Sequence, residues 1–256
     1  MRVVRYQPAA GGPASYGVLE ETGSAAVVVR TEGEPFDGVR TTGERLPLAE
    51  VTLLAPVEPS KVVAFGRNYA EHAAELGNEV PEVPIVFLKP STAVVGPGAA
   101  VPYPLLTSNL HFEGELAAVV GRRCVAVTPE EATGVIFGYT VANDLTMRDV
   151  QKSEGQWTRG KGFDGSCPLG PWMETELDPS ALALRATVNG EVRQEGTTAD
   201  MLRDVAGCVS WISQAMTLLP GDVVLTGTPA GVGALERGDE VSVTIQGIGT
   251  LTTRIV

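Results

Sequence analysis

The 256-residue sequence predicts a mainly β fold with few helices. Short apolar and β-branched runs recur along the chain, and turn-forming residues separate them. The 30 glycines and 18 prolines are spread evenly between these runs, which leaves little room for long helices. The pair Asn189-Gly190 stands between two runs and is typical of a tight hairpin, because a type I′ turn needs positive φ at both positions.

The strands predicted from these runs are each about four to eight residues long, the usual range for strands. In chain order they cover residues 2–6, 25–30, 61–65, 85–88, 113–120, 139–143, 184–188, 223–226, 241–245 and 250–255. Residues 1–55 contain small strands and loops with no evident catalytic motif, and Pro56 and Pro59 indicate a linker after them.

A few helices are predicted as well. Apolar residues recur at helical spacing over residues 200–216, where Asp200 can cap the start. A shorter helix over residues 129–135 has Thr128 as its N-cap and Glu131 at the reciprocal position of a capping box. A further helix is predicted over residues 69–76.

The composition excludes several classes of protein. The net charge of −12 argues against nucleic acid or an anionic membrane as a partner, because both need a cationic surface. The three cysteines, Cys124, Cys167 and Cys208, lie far apart, which indicates neither a disulfide framework nor a thiolate zinc site. The N-terminus lacks the apolar core of a signal peptide, and no run approaches the ~20 apolar residues of a membrane span. A cytoplasmic protein is therefore expected.

In the segment His111–Gly121, two glutamates stand directly before a run of apolar residues. Glu113 and Glu115 point to the same face of a strand, because side chains alternate along it. Buried carboxylates of this kind need a compensating cation, whereas at an exposed strand end water would screen their repulsion. The motif alone leaves a metal site and a solvated pair of glutamates equally open.

A third acid makes the metal site the better interpretation. Asp144 ends the apolar run that forms the predicted strand 139–143. Three carboxylates without cysteine or several histidines form an all-oxygen site, which favours Mg²⁺, Mn²⁺ or Ca²⁺ over Zn²⁺. Three protein ligands also leave coordination positions open for a substrate.

Two further motifs have both a catalytic and an ordinary interpretation. His72 and Glu75 would share one face of a helix, where the carboxylate could make the imidazole more basic, but an incidental pair on an exposed helix is commoner. Lys161 lies between glycines that would let the backbone approach a ligand, but surface loop lysines are commoner. The turn at residues 226–233 lacks the ending of a P-loop, and its hydroxyl and amide groups could hold a carboxylate.

Taken in order, the motifs of this chain closely resemble the fumarylacetoacetate hydrolase superfamily. The matching segments are KVVAFGRNYAEHAAE, PIVFLKPSTAVVGPG, HFEGELAAVVG, GYTVANDLTMRDVQ, GQWTRGKGFDGSCPLGPW, VNGEVRQ and LLPGDVVLTGTPAGVG. The resemblance covers about residues 57–256, and residues 1–55 resemble the small N-terminal piece of the shorter bacterial members. It implies a mixed β-sandwich roll over residues 56–256, a small N-terminal β subdomain over residues 1–55, and a homodimer.

The resemblance also implies roles for individual residues. The metal ligands would be Glu113, Glu115 and Asp144. The catalytic residues would be His72 and Glu75 on a mobile lid, together with Lys161. This role for the lid pair replaces the ordinary interpretation of an incidental pair. Candidate substrate contacts are Arg67, Tyr69, Arg148, Gln151 and Thr228.

The expected function is that of a Mg²⁺- or Mn²⁺-dependent hydrolase or decarboxylase, with Ca²⁺ as a further possible ion. It would cleave a carbon–carbon bond of a small anionic 2-oxo acid such as an acylpyruvate, fumarylpyruvate or oxaloacetate, with the metal stabilising an enolate. Because fold and metal site do not select one reaction, a 2-hydroxyhepta-2,4-diene-1,7-dioate isomerase is the alternative. Two hypotheses give the protein no catalytic function. In one it binds metal or carboxylates without turnover, and in the other it is a structural β protein without a site.

Overall fold

Three β-sheets organise the fold in this computed structural model, which describes residues 1–22 and 25–256. The mainly β fold class predicted from the sequence is confirmed. The strands are β1 Arg2–Pro8, β2 Ser15–Thr22, β3 Ala25–Thr31, β4 Thr41–Pro47, β5 Val51–Leu53, β6 Val62–Gly66, β7 Ile85–Lys89, β8 Val94–Val95, β9 Ala100–Val101, β10 Leu110–Phe112, β11 Gly114–Val120, β12 Ile136–Asn143, β13 Thr146–Met147, β14 Cys167–Glu174, β15 Ala183–Val188, β16 Glu191–Thr197, β17 Val223–Leu225, β18 Gly233–Leu235, β19 Glu240–Ile245 and β20 Gly249–Ile255.

The largest sheet follows the order β4-β3-β2-β1-β14-β12-β11-β17-β6-β7, with β5 paired to β1 and β8 paired to β14. A second sheet has the order β16-β15-β19-β20-β9, and a small third one has the order β13-β10-β18. Most neighbours are antiparallel, but β17 with β6, β14 with β8 and β20 with β9 are parallel. The two larger sheets are therefore mixed, as the resemblance implied, and the small third sheet is antiparallel.

Strand β11 shows why its sequence is almost continuously apolar. All of its residues are buried, and successive side chains enter two different cores. Leu116 and Ala118 pack in the core shared with the second sheet, whereas Ala117 and Val119 pack on the opposite face. A strand buried on both faces carries apolar side chains at nearly every position. Its sequence therefore does not alternate between apolar and polar residues.

The N-terminal strands continue the large sheet. Strand β1 pairs with β14 at Arg2↔Glu174 and Val3↔Met173, and β5 returns to pair with β1. The N-terminal amine of Met1 lies 2.5 Å from Oε1 of Glu174. The N-terminal segment thus shares backbone hydrogen bonds with the rest of the chain, and its separation at residue 55 stays a prediction.

The α-helices are short and few in the described part of the chain. They are α1 Ala70–Glu75, α2 Pro129–Thr133, α3 Arg148–Ser153, α4 Thr158–Lys161 and α5 Val205–Ala215. The capping box of Thr128 and Glu131 is confirmed at α2. None of these helices is long and apolar enough to cross a membrane, for the residues that the structure describes.

The start predicted for the longest helix is wrong by several residues. Helix α5 begins at Val205, and its N-cap is Asp204, whose side chain accepts a hydrogen bond from Gly207 N at 2.7 Å. Asp200 instead ends a 3-10 turn, and Met201 forms a β-bridge with Tyr69. The apolar spacing continues through this turn, so spacing alone could not separate it from the helix.

The ten predicted strands are present with small shifts at their ends, and the Asn189-Gly190 hairpin joins β15 to β16 with φ of 52° and 81°. Strand β14 was not predicted, because Pro168 and Pro171 argue against a central strand. In the structure the register between β12 and β14 shifts where Pro171 lies, and Pro168 pairs with Val95 of β8. The other unpredicted strands are either very short or rich in polar residues and glycine.

Candidate active site

A cavity of about 440 Å³ lies among α1, α3, α4 and the ends of β6, β7 and β11. Most of the residues predicted to form the site line this cavity. They are Arg67, His72, Glu113, Glu115, Arg148, Gln151, Lys161 and Thr228. Three other predicted residues, Tyr69, Glu75 and Asp144, lie next to it and do not line it.

Three buried carboxylates form one side of the site. Each of Glu113, Glu115 and Asp144 offers an oxygen, and these atoms lie within 4.8 Å of one another. Glu113 occupies the break between β10 and β11, and Asp144 directly follows β12. Because β11 and β12 are antiparallel neighbours, these two residues face each other, and Asp144 N donates to Glu113 O at 2.8 Å.

Three buried cations surround the carboxylates. Lys161 Nζ lies 2.6 Å from both Glu113 Oε2 and Asp144 Oδ2, so it bridges the two acids. Arg148 forms an ion pair with Glu113 Oε1. Lys89 Nζ lies 2.7 Å from Asp144 Oδ1. Buried charges are tolerated when they are paired in this way.

The pKa values follow from this pairing. Burial alone would raise the pKa of Glu113, but the charges of Lys161 and Arg148 hold it well below its ordinary value. Burial would likewise lower the pKa of Lys161, but Asp144 and Glu113 raise it. Both groups are therefore charged near neutral pH.

Glu115 differs from the other two acids because no cation touches it among the described residues. Its Oε2 accepts a hydrogen bond from Gly227 N at 2.7 Å. Burial raises its pKa well above the ordinary value, and the charges of Asp144 and Glu113 raise it further. The nearby charge of Lys161 and the Gly227 hydrogen bond oppose this rise only in part, so the cluster contains one carboxylate without a direct ion pair among the described residues.

The donor set fits a divalent cation. Three converging carboxylates supply only oxygen, which Mg²⁺, Mn²⁺ and Ca²⁺ prefer. A divalent ion would also compensate Glu115, which alone among these three acids has no ion pair in the described chain. We conclude that the residues present could hold such an ion.

The turn after β17 holds a carboxylate, but that carboxylate belongs to the protein. The Gly227 amide donates to the Glu115 carboxylate. The hydroxyls of Thr226 and Thr228 donate to backbone carbonyls of β11. Thr226 Oγ1 donates to Leu116 O at 2.8 Å, and Thr228 Oγ1 donates to Gly114 O at 2.8 Å. A hydroxyl has one proton, so Thr228 can offer its oxygen to a ligand only as an acceptor while this bond persists.

His72 and Glu75 are neighbours on α1, as predicted, but they are not hydrogen-bonded. His72 Nδ1 lies 3.6 Å from Glu75 Oε2 and has no hydrogen-bond partner in the described chain. Both oxygens of Glu75 instead accept from Gly231 N, at 3.0 and 3.2 Å. Burial lowers the pKa of His72, and nearby Arg148 lowers it too against the opposing charge of Glu113, so the imidazole is neutral at pH 7.

The remaining predicted contacts have different surroundings. Gln151 Oε1 accepts from Arg148 Nη1 at 2.7 Å, which orients both side chains at the cavity wall. Arg67 lines the cavity. Tyr69 is buried beside a smaller cavity of about 260 Å³, and burial together with the charge of Glu115 raises the pKa of its hydroxyl. Its role as a substrate contact stays a prediction.

The glycines beside Lys161 have close neighbours. A Cβ at Gly160 would lie 2.9 Å from Gln151 N, so this glycine lets α3 and α4 approach each other closely. A Cβ at Gly162 would lie 2.7 Å from Thr158 O of α4 and 3.0 Å from Pro90 Cδ. Packing therefore accounts for both glycines, and close approach of a ligand stays a prediction.

Sequence reasoning missed two residues that support the site. Lys89 is fully buried, and besides Asp144 it bonds the carbonyls of Lys161 and Ser166. Its signal was a lysine ending the apolar segment IVFLK, since buried lysines are rare without a partner. Gln194 is also fully buried; it accepts from Gly114 N at 3.0 Å and donates to Thr228 Oγ1 at 2.8 Å. Its segment, β16, is largely polar, so burial of Gln194 could not be predicted, although VNGEVRQ is one of the segments that carry the family resemblance.

Comparison with known families and proteins adds to this geometry. The model for the family described as fumarylacetoacetate (FAA) hydrolase C-terminal matches residues 61–256. A second model, described as Rv2993c-like, N-terminal, matches residues 1–56. Protein Rv2993c from Mycobacterium tuberculosis is 54% identical over 225 residues, which cover 87% of this chain and 85% of that protein. Oxaloacetate tautomerase YcgM from Escherichia coli is 47% identical over 204 residues, or 77% of this chain and 93% of that one.

Solved structures of similar proteins share this fold. The crystal structure of a 5-carboxymethyl-2-hydroxymuconate delta-isomerase from Mycobacterium smegmatis is 48% identical, with a TM-score of 0.93 over 100% of this chain and 99% of the other. The crystal structure of fumarylpyruvate hydrolase from Pseudomonas aeruginosa, in complex with Mn²⁺ and pyruvate, is 38% identical. Its TM-score is 0.74, and the match covers 80% of this chain and 91% of that chain.

Proposed function

The chain belongs to the fumarylacetoacetate hydrolase family, and on that premise we propose that it is a divalent-metal-dependent tautomerase of small 2-oxo acids. One observation carries the proposal. A buried histidine with a lowered pKa and two members of the carboxylate cluster, Glu113 and Glu115, line the same cavity. This supports a proton acceptor and a metal site acting on one small ligand.

The carboxylates Glu113, Glu115 and Asp144 would hold the metal ion, Mg²⁺ or Mn²⁺. When bound, such an ion supplies positive charge to the 2-oxo group of the substrate as that group gains enol character. The Mn²⁺ in the related fumarylpyruvate hydrolase supports this choice of ion class.

His72 is the proposed base. Its Nδ1 lies on the side of the Glu75 carboxylate, which favours the tautomer with a proton on Nδ1 and leaves Nε2 as the acceptor. In the keto-to-enol direction Nε2 takes the C3 proton, the C–H electron pair becomes the C2=C3 double bond, and the C2=O π pair moves to the oxygen. The protonated imidazole then gives the same proton to that oxygen, so His72 ends neutral. The lowered pKa keeps Nε2 free to accept at neutral pH.

Lys161 and Arg148 contribute positive charge to the wall of the cavity. Both line the cavity while they hold Glu113, so they present positive charge to an anionic ligand without being able to swing away. Donors fixed before the reaction stabilise developing negative charge better than mobile ones, because little reorganisation is needed. Their proposed part is to bind the substrate's carboxylate or 2-oxo group.

Hydrolysis or decarboxylation is the second candidate. The same His72 could take a proton from water in place of carbon, with Glu75 beside it. The fumarylpyruvate hydrolase among the related structures supports this alternative. Tautomerisation is preferred because it needs only proton transfer, and because relatives named as tautomerases and isomerases are the more similar ones.

The experiment is a stopped-flow ultraviolet assay of enol-oxaloacetate with Mg²⁺, Mn²⁺ or EDTA. We expect metal-dependent loss of enol absorbance without release of pyruvate, which lactate dehydrogenase would detect in parallel. Release of pyruvate would move the function to decarboxylase, and cleavage of fumarylpyruvate would move it to hydrolase. Enol loss no faster than in buffer, with saturating metal, would contradict the proposal.

A homodimer is also part of the proposal. Leu105 and Leu106 form an exposed apolar loop, with 95% and 61% of their surfaces accessible, and such side chains are often covered in an assembly. Light scattering after size exclusion tests it, with a mass of twice 26.8 kDa expected. A monomer at micromolar concentration would contradict it.

A further inference from the structure

Gln194 is a fully buried glutamine that reaches the carboxylate cluster from another sheet. It lies on β16 of the second sheet, whereas Gly114, which stands between the two glutamates, begins β11 of the large sheet. Its Oε1 accepts from Gly114 N at 3.0 Å. Its Nε2 donates to Thr228 Oγ1 at 2.8 Å and to Pro229 O at 2.9 Å. Both amide hydrogens are therefore used, which fixes the orientation of the amide group.

These bonds close a ring that joins β11 to the turn after β17. The Thr228 hydroxyl accepts from Gln194 and donates its single proton to Gly114 O at 2.8 Å, and Gly114 N donates back to Gln194. The paired residues of β11 and β17 end at Ala117 and Leu225. At Gly114, therefore, the ring connects β11 to the turn where pairing with β17 has stopped.

The three candidate metal ligands are held in place in two different ways. Glu113 and Asp144 are fixed by ion pairs with buried cations. Glu115 has no ion pair in the described chain, and its Oε2 is held by the amide of Gly227 at 2.7 Å. A neutral hydrogen bond places Glu115, so its position depends on how well that amide is itself fixed.

The Gln194 ring anchors both ends of this hydrogen bond. Gly227 directly precedes Thr228 in the turn, and Glu115 directly follows Gly114 in β11. Since the ring binds Thr228 to Gly114, it sets the distance between the turn and the strand at this point. The position of Glu115 relative to the other two acids therefore depends on Gln194.

We propose that Gln194 is a positioning residue that fixes Glu115 within the metal site and so favours Mg²⁺ over Ca²⁺. The inference rests on the proposed function for the place of the metal but not for the reaction. Mg²⁺ requires nearly octahedral oxygen ligands at about 2.0–2.1 Å, whereas Ca²⁺ accepts flexible geometry at about 2.3–2.6 Å. A rigid set of oxygens can satisfy Mg²⁺, and a loosened set still satisfies Ca²⁺.

The test measures binding of Mg²⁺ and of Ca²⁺ to the full chain by calorimetry, without substrate. Gln194→Met keeps the approximate length of the side chain and removes its hydrogen bonds. We expect Mg²⁺ affinity to fall by about 10- to 100-fold, as for the loss of other residues that support metal ligands. Ca²⁺ affinity should fall by a factor at least about threefold smaller, because its geometry is more tolerant.

Two variants of Thr228 test the ring from its other side. Thr228→Val removes the hydroxyl and should change the ratio of the two affinities in the same direction. The double variant with Gln194→Met should lose little more than the larger single effect, because both changes break one ring. Thr228→Ser keeps the hydroxyl and should retain the wild-type ratio. If Gln194→Met does not fold, Thr228→Val provides the same comparison.

Leu184→Ala is the control for a general loss of stability. Leu184 is a buried core residue on β15 and pairs with Gly196 of β16, but it takes no part in the ring. The substitution should leave a cavity and lower the unfolding temperature, with both metal affinities unchanged. Thermal unfolding shows that each variant is folded and gives the stability loss for comparison with Gln194→Met.

Equal losses of affinity for the two ions in Gln194→Met, or no loss at all, would overturn the proposal. A changed ratio in Leu184→Ala would overturn it as well, because a loosened fold would then explain the effect. If the ratio changes as expected but oxaloacetate is not tautomerised, the proposed function fails and the positioning role stands. Mg²⁺-dependent tautomerisation with an unchanged ratio would leave the proposed function and remove the role of Gln194.

Discussion

Two groups of residues, which line the cavity or lie next to it, are built in different ways. The floor, formed by Lys89, Glu113, Glu115, Asp144 and Lys161, is almost completely buried, and each member is held by ion pairs or backbone hydrogen bonds. The rim, formed by Arg67, His72, Glu75 and Lys152, lies on the short helix α1 and on loop or helix surfaces. Its side chains have few partners in the described chain, and His72 Nδ1 has none.

This difference suggests that the floor and the rim have different functions. The floor has its charges fixed before any ligand arrives, which is what a metal site and preorganised electrostatics need. The rim includes His72, whose Nδ1 has no hydrogen-bond partner in the described chain, and groups of this kind are what proton transfer and recognition of a substrate tail need. Changes in the floor should therefore affect metal binding and folding, and changes in the rim should affect turnover and selectivity.

The largest expected effect is that of Glu115→Gln. The change removes a ligand charge from the floor but keeps the shape and the acceptor for Gly227 N. We expect loss of measurable turnover and a fall in Mg²⁺ affinity beyond the ~100-fold typical of losing a residue that only supports a ligand. Calorimetry of metal binding measures it. Glu154→Gln, on the same cavity wall but paired with Arg159, is the control and should bind metal normally.

In the rim, His72→Ala should separate chemistry from metal binding. Loss of the base should reduce kcat by about 100- to 10,000-fold, the usual contribution of general base catalysis. Metal affinity should stay at the wild-type value, because His72 is not a predicted ligand. Glu71→Gln, an exposed change on the same helix, serves as the control. A parallel fall in metal affinity would show that floor and rim are not separate.

Lys89→Met tests whether the floor also stabilises the fold. The substitution leaves Asp144 and the carbonyl of Ser166 without this partner in a dry interior. We expect the free energy of unfolding to fall by about 3 kcal/mol, since breaking a buried ion pair strands its partner. Urea denaturation provides the value. Arg185→Gln, which breaks an exposed pair with Glu195, should cost less than about 1 kcal/mol.

The smallest effect is a shift in the pH profile. Only neutral His72 can accept a proton, so activity falls as the pH drops through its pKa. Burial lowers that pKa from the ordinary 6.5, and therefore the acidic limb of kcat/KM should have its midpoint below 6.5. The profile of enol loss against pH measures this midpoint. A midpoint at or above 6.5 would argue against His72 as the base.

Much of the floor could be predicted from local sequence. Alternation along a strand placed Glu113 and Glu115 on one face, and the apolar residues after them indicated burial. Asp144 could be added because it ends another apolar strand. The support from Lys89 and Gln194 could not be found in this way, since both reach the site from strands distant in sequence.

The rim was harder to predict, because its residues have ordinary local patterns. His72 and Glu75 were assigned a role only through resemblance to a family, and their hydrogen bond is absent from the structure. Arg67 was included as a candidate contact, but its positive φ and its lack of an acidic partner are properties of the folded chain.

The sequence by itself determined the β class, the hairpin at Asn189-Gly190, the capping box of α2 and the acidic character of the site. These features depend on side-chain periodicity and on turn chemistry, which act over a few residues. Only the tertiary structure decided that Lys161 bridges two of the acids, that Glu115 lacks a cation in the described chain, and that Arg67 faces the same cavity. These are long-range relations, set by how the sheets and loops pack and not by spacing along the chain.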